Sequence, residues 1–373
     1  MILLAALSLA IWVYLVAFRG RFWRMRPDAP VLALDPAAPA VHAIVPARDE
    51  ADVVGRAMAS LAAQIYPGDF QITLVDDHSA DDTARLAADA APGLHIVAAR
   101  PLPSGWTGKL WAVSEGIAAA EDAEYFLLTD ADIVHHPQNV AALVSRARAG
   151  NYDLVSYMVR LHCGTFAEHA LIPAFVFFFF LLYPPAWIRD PRRGTAGAAG
   201  GCILIRRAAL ESIGGIARIK SELIDDCALA REVKRTGGRI WLGLSDRTVS
   251  IRPYTTFAEI GGMISRTAFT QLKHSAILLA GTVAGLAITY LAPPLLTFFA
   301  PRGPASGMGA LAWLLMTASY WPAVRYYRVN WFWAPMLPAI AVFYLFATLH
   351  SAIATWRGQG GMWKGRAQSA TLQ

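Results

Sequence analysis

Apolar runs at both ends of the chain restrict what it can fold into more than any other feature. Met1–Phe18 carries no charge, and Ser275–Ala300, Met308–Val324 and Trp333–Thr355 are apolar, interrupted by little except proline. About 20 apolar residues cross a bilayer as a helix, so both ends are expected to sit in lipid. Of the 373 residues, 55% are hydrophobic and only 16% charged, against about 25% charged in a soluble domain. Arg19, Arg21, Arg24 and Arg26 follow the first run. A cleaved signal puts its positive charge ahead of the apolar stretch. The reverse order here predicts a permanent anchor over 1–18 with its arginine end in the cytoplasm. Arg325 and Arg328 precede the last run, and Arg357, Lys364 and Arg366 follow it in a basic tail over 356–373. Both clusters favour the cytoplasmic side, which three full crossings within 275–355 do not allow. Either one segment re-enters or a further run crosses. That further run is Ala170–Trp187, centred on Phe177–Phe180 and broken by Pro173, Pro184 and Pro185. Its shortness and its prolines predict an interfacial or re-entrant helix.

Between residues 41 and 270 the pattern changes. A linker over 19–40, basic and then rich in Pro and Ala, leads into alternating strands and helices. Val41–Pro46, Gln71–Val75, Leu94–Ala98, Tyr125–Thr129, Asp153–Val159, Cys202–Ile205 and Arg239–Leu242 read as strands. Ala47–Ala51 leads into a helix through Gln64, and helices are expected over 108–120, 137–149 and 227–236, with Asp81 as a cap for another and Gly237–Gly238 closing the last. This alternation predicts an α/β domain with a Rossmann-like, mostly parallel sheet covered on both faces. Ligands of such sheets bind beyond the carboxyl ends of the strands. Acids fall there: Pro46-Ala-Arg-Asp-Glu50, Asp76–Asp77 and Asp130-Ala-Asp132 follow strands, and Asp225–Asp226 opens a helix. Carboxylates so placed suit a hard divalent cation that holds phosphates. A solvated acidic turn or a helix cap would use the same residues. Lys109 lies just inside a helix, after Gly105 and Gly108. A cation is unfavourable there unless an anion offsets it, as a diphosphate would.

The order and spacing of these four acidic elements resemble the family 2 glycosyltransferases over residues 41–270. The resemblance implies a GT-A fold in a cytoplasmic domain, a nucleotide-sugar donor and an inverting transfer. One anchor before the domain and a cluster of apolar segments after it is similar to lipid-directed members such as the ceramide glucosyltransferases. Ser104-Gly-Trp-Thr-Gly-Lys-Leu-Trp-Ala112, Arg266-Thr-Ala-Phe-Thr-Gln-Leu272 and Trp363-Lys-Gly-Arg366 resemble the hopanoid-biosynthesis-associated, HpnB-like branch.

Carried over residue by residue, the resemblance implies these roles. Asp77 reads the nucleotide base, and a carboxylate can accept the ring N–H of the uracil in a UDP-sugar. Glu50 lies near the ribose, and Lys109 and Arg266 near the diphosphate. Asp130 contacts the sugar or ribose, and Asp132 ligates Mn2+ or Mg2+. Asp226 is the base that takes the proton of the acceptor hydroxyl. Asp225, in place of the commoner Glu, and Gly201 of the Gly200–Gly201 loop lie on the acceptor side. Processive members carry Gln-X-X-Arg-Trp. Met263-Ile-Ser-Arg-Thr267 keeps only Arg266 of that motif, which favours transfer of a single sugar. The implied acceptor is a lipid: a hopanoid, a sphingolipid-like molecule or a polyprenyl phosphate, the last served by Arg189, Arg192 and Arg193. A processive polysaccharide synthase and a non-enzymatic transporter or scaffold are the competing readings.

Other features carry less. His42, His78, His95, His135 and His136 lack metal-ligand spacing. Cys163, Cys202 and Cys227 fit a reducing compartment better than a disulfide framework. The net charge of +6 suits anionic lipid and nucleotide phosphates. No basic stripe interleaves with aromatics, so nucleic acid is not an expected partner. Tyr320, Trp321, Tyr326, Tyr327, Trp331 and Trp333 read as an interfacial belt. The whole is expected to be a multi-pass protein of the cell (inner) membrane.

Overall fold

A computed structural model describes residues 1–28, 37–120 and 122–358, with the backbone alone at 362–363 and 366–367. Residues 29–36 of the linker and the side chains of the Trp363–Arg366 stretch lie outside the described residues. In chain order the elements begin with α1 (Ile2–Phe18), β1 (Val41–Ala47), α2 (Val54–Ala62), β2 (Phe70–Asp76), α3 (Thr83–Ala90), β3 (His95–Ala98), α4 (Gly108–Ala118), β4 (Tyr125–Thr129), β5 (Ile133–His135), α5 (Asn139–Gly150) and β6 (Leu154–Arg160). They continue with α6 (Phe166–Leu182), α7 (Pro185–Arg189), β7 (Cys202–Arg206), α8 (Arg207–Ser212), α9 (Asp225–Arg235), β8 (Ile240–Ser250), α10 (Phe257–Gln271), α11 (Ala276–Leu286), α12 (Ala292–Phe299), α13 (Pro304–Tyr327) and α14 (Leu337–Trp356). Two compact units form: residues 1–26, 163–186 and 253–360 make an apolar helical unit, and 27–162, 187–252 and 361–373 make an α/β unit.

The α/β unit is built on an eight-stranded sheet in the order β3-β2-β1-β4-β7-β6-β8-β5. β1 and β4 are buried at every position, as strands covered on both faces must be. β3, β2, β1 and β4 run parallel, as do β6 and β8. β7 lies antiparallel between β4 and β6, and β5 is antiparallel to β8. The expected mostly parallel sheet is therefore corrected to a mixed one. β7 runs opposite to both neighbours and supplies the ladder hydrogen bonds of each, with Thr129 facing Cys202. The parallel part has its switch point between β1 and β4, where the connections diverge to opposite sides, and a crevice opens beyond their carboxyl ends.

Local chemistry moves several boundaries. The helix expected after Ala47–Ala51 begins at Val54 and ends at Ala62, and the turn before it is held from the β2–α3 loop. There Asp49 takes φ 50°. Ser79 Oγ accepts the Asp49 N–H at 3.1 Å, Thr83 Oγ1 that of Glu50 at 2.8 Å, and Asp81 Oδ2 that of Ala51 at 3.1 Å. Asp81 thus ties two loops together, and Asp82 takes the N-cap position of α3. β8 runs on to Ser250 rather than stopping at 242, through exposed Asp246 and Arg247 that disguise it in the sequence. α4 packs closely on the sheet through Gly116, where a Cβ would meet Ile44 Cγ2 at 2.5 Å and Val75 Cγ2 at 2.9 Å.

In the helical unit, capping boxes of Thr165 with Glu168 and of Thr256 with Glu259 open α6 and α10. Among the described residues, three stretches are long and apolar enough to cross a membrane by length and composition: Phe166–Arg189, Ala276–Phe299 and Leu337–Trp356. The run expected at 170–187 starts earlier and joins this set. α1, with 17 residues, is shorter. α11 continues into α12 through a π-helical turn, whose Thr289 carbonyl accepts the indole N–H of Trp12 at 2.7 Å. That bond satisfies a carbonyl near the irregular turn inside an apolar bundle.

Candidate active site

The crevice beyond β1 and β4 collects four of the sequence-predicted residues. Lys109 stands at the second position of α4, whose first turn is fixed by Thr107. The Thr107 hydroxyl accepts the Leu110 N–H at 3.3 Å, and the Thr107 N–H donates to the Lys220 carbonyl at 2.8 Å. The Lys109 ammonium reaches Asp130 Oδ1 at 2.9 Å and Asp225 Oδ2 at 3.3 Å. Asp226 follows in the first turn of α9. The N–H of Gly200 donates to its Oδ2 at 2.9 Å, and the N–H of Cys227 to its Oδ1 at 2.6 Å. Leu110, Val113, Leu128, Ile203, Ile216 and Leu229 line the same pocket.

This apolar wall sets the electrostatics. Burial, with Asp225 alongside, pushes the Asp226 carboxyl up from 3.8 to about 7, against the pull of Lys109 and the two backbone N–H groups. A base half-ionised near neutral pH is matched to proton abstraction from a hydroxyl. Burial alone would pull Lys109 down, but Asp130 and Asp225 outweigh it and hold the ammonium firmly protonated. Burial raises Asp130, with Lys109 opposing. Lys109, expected against a diphosphate, thus stands between the Asp130 side and the Asp225–Asp226 side of the crevice.

The remaining residues separate into neighbouring groups. Asp132 faces the end of β8: Ser250 Oγ donates to its Oδ2 at 2.7 Å, and Arg252 Nε lies 3.6 Å away. Arg252 also forms an ion pair with Glu50. Sequence patterning does not single out Arg252, because a strand read only to Leu242 leaves that residue in no element, whereas β8 carries it to the site edge. Asp77 is buried. Arg48 Nη1 lies 3.6 Å from its Oδ2 and donates to its carbonyl at 2.5 Å. Arg48 is not singled out either, although it sits inside the Pro46–Glu50 stretch. Gly201 does not touch the acids. Its carbonyl accepts the Thr129 hydroxyl at 2.8 Å, and a Cβ there would press on Val159 and Ile133 at 3.2 and 3.3 Å. Gly200 is the glycine that meets Asp226. Arg266 lies on α10, in the helical unit.

Two histidines are accounted for by buried polar pairs. His135 Nδ1 accepts the Asn139 side-chain amide N–H and its Nε2 meets the Thr129 hydroxyl, both at 2.9 Å, and burial lowers the ring to about 3, so it is neutral. His42 meets the Thr73 hydroxyl at 2.7 Å. Among the described residues, no three His, Cys, Asp or Glu side chains gather as a metal cage. The donor set therefore does not fit a resident metal held by protein alone. A hard cation that drew most of its oxygens from a bound ligand would need only a single carboxylate of the protein.

Residues 42–214 match the family model for Glycosyl transferase family 2. The match ends before Asp225–Asp226. A curated relative, undecaprenyl-phosphate 4-deoxy-4-formamido-L-arabinose transferase of Enterobacter sp. (strain 638), is 31% identical over 119 residues, which cover 31% of this chain and 35% of the relative. The chain thus spans about a third of the length of the curated relative it matches. Among solved structures, a mannosyltransferase from Pyrobaculum calidifontis in complex with GDP-Man and Mn2+ is 19% identical. That likeness covers 94% of this chain and 98% of the other with a TM-score of 0.55, and it shows the fold. Glucosyl-3-phosphoglycerate synthase from Mycobacterium tuberculosis, with Mg2+ and uridine-diphosphate, is 20% identical over 67% of this chain and 84% of the other, with a TM-score of 0.43.

Proposed function

We propose that the chain is a membrane-bound inverting glycosyltransferase that moves a single sugar from a UDP-linked donor to a lipid acceptor at the cytoplasmic face of the membrane. One observation carries the reading. Asp226 is a carboxylate lifted to about 7, oriented by two backbone N–H groups, in the crevice that also holds Asp130 and Lys109. A sugar or lipid hydroxyl is a poor nucleophile until a base takes its proton. Asp226 accepts that proton as the hydroxyl oxygen attacks the anomeric carbon and the bond to the diphosphate breaks. Attack from the side opposite the leaving group turns an α-linked donor into a β-linked product. Lys109 keeps its charge between Asp225 and Asp130, which holds the acid pair in place and favours the ionised base. Asp77 and Glu50, with Arg48 and Arg252 beside them, form the nucleotide side, and Lys109 serves the diphosphate. Asp225 and the Gly200–Gly201 turn face the acceptor. Mn2+ or Mg2+ held through Asp132 would offset charge on the leaving diphosphate.

The acceptor is argued from the apolar helical unit, which would keep a lipid substrate in the bilayer beside a soluble donor. The curated relative's name supports a polyprenyl phosphate, and exposed Arg192 and Arg193 suit such an anion. The resemblance to the hopanoid-associated branch supports a polycyclic lipid instead. To test the reading, membranes containing the chain are incubated with radiolabelled UDP- and GDP-sugars. The expected result is label in the lipid extract with a UDP-sugar, lost on chelation of divalent metal and restored by Mn2+ or Mg2+. Label in a water-soluble polymer would favour a processive synthase, and no transfer from any donor would overturn the enzyme reading.

A further inference from the structure

Lys234 sits in the last turn of α9, two turns beyond the Asp225–Asp226 pair. Its ammonium donates into a cage of backbone carbonyls: Ile188 at 2.7 Å, Thr195 at 2.8 Å, Asp190 at 3.1 Å and Trp187 at 3.4 Å. Burial lowers its pKa, with Asp190 opposing. An ammonium has three protons to give, and all of them are spent on one segment of main chain, 187–195. Stacked cations fix the same segment. The Arg193 guanidinium lies 4.4 Å from the Trp187 ring, and that of Arg189 lies 5.5 Å from the Trp241 ring.

From there the segment runs back along α9 toward its first turn. The Ala198 carbonyl meets Cys227 Sγ at 3.6 Å, Ser156 Oγ binds both the N–H and the carbonyl of Ala199, and the Gly200 N–H reaches Asp226. Lys234 and Asp226 are eight residues apart, which is about 12 Å of helix. The 187–201 segment is therefore tied to α9 at both ends of that span. We propose that Lys234 is a positioning residue for the transfer: it registers 187–201 against α9 so that the Gly200 N–H orients the Asp226 carboxylate. This rests on the reading of Asp226 as the base. Around Asp226 the charged groups are Asp225 of α9, Lys109 of α4 and, through Lys109, Asp130 after β4.

The test uses the full chain in nanodiscs and the variants Lys234→Met, Lys234→Gln and Lys234→Arg. Hydrogen–deuterium exchange is read over 190–201 and, as an internal control, over β6. In Lys234→Met, exchange at 190–201, the Gly200 amide included, should rise at least about tenfold while β6 is unchanged. With the donor and acceptor that the wild type uses, kcat should fall by about ten- to a hundredfold at constant donor KM, as for a misplaced base. The acid limb of kcat/KM should move to higher pH, because losing the Gly200 N–H weakens the ionised form. Lys234→Gln gives the same signs if the Met variant fails to fold, and Lys234→Arg restores part of the loss. Unchanged exchange at 190–201, or raised exchange with an unmoved kcat and pH profile, overturns the proposal. The exchange arm needs no substrate, so a wild-type chain without transferase activity would sink the functional reading and still leave this arm to decide whether Lys234 holds Gly200.

Discussion

Asp226 derives its chemistry from a conflict between its neighbours. Apolar walls and Asp225 favour the neutral acid, while Lys109 and two backbone N–H groups favour the carboxylate. The balance near neutrality makes activity pH-sensitive. Below about pH 7 kcat/KM should fall about tenfold per pH unit as the base is protonated, and a limb near the ordinary carboxylate value would contradict this. The stability effect has the opposite sign. A carboxyl raised on folding favours the folded state fully below its unfolded value of 3.8, and that contribution is lost as pH rises through about 7. Asp226→Asn should therefore gain melting temperature relative to wild type between about pH 5 and about pH 8. An equal difference at both pH values would count against the burial argument. Lys109→Met tests the other side. Removing the cation from two carboxylates within 3.3 Å should cost about 3 kcal/mol of stability and move the acid limb upward. Denaturant unfolding and a pH profile check the two parts.

At the scale of elements, what the sequence discloses depends on whether an element's own residues determine it. β4 is five apolar or β-prone residues buried on both faces, and it lies where the pattern put it, at Tyr125–Thr129. β5 has three residues, too few for a period, and its place follows from pairing with β8 across long range. The turn at 48–53 is set by Ser79, Asp81 and Thr83, which no local window contains. The same division holds in the site. The acids could be found because they follow strands or open a helix. Arg252 and the Lys109–Asp225 contact come from tertiary placement, so spacing alone does not reveal them. Gly116 shows how tightly one such placement is built. Gly116→Ala would ordinarily favour α4 by about 1 kcal/mol, but the clash with Ile44 and Val75 should reverse the sign to a loss of about 1–3 kcal/mol. Stability of the Ala variant at or above wild type would contradict that packing.

Over the whole molecule, an α/β unit with an acid-lined crevice and an apolar helical unit occur in one chain. The long apolar stretches at 166–189, 276–299 and 337–356 should keep the protein in the membrane pellet through alkaline carbonate extraction. Release into the supernatant would instead mean attachment at the surface. A transferase that works on a lipid gains from this combination, because the acceptor stays in the bilayer while the nucleotide sugar arrives from water. The most direct test is a comparison of lipid extracts, by mass spectrometry, from cells lacking this chain and carrying either the wild type or Asp226→Asn. The account predicts a lipid one sugar residue heavier with the wild type, absent with Asp226→Asn although that variant accumulates in the membrane to the same level. The same glycosylated lipid formed with Asp226→Asn, or an unchanged lipid profile with the wild type, would contradict it.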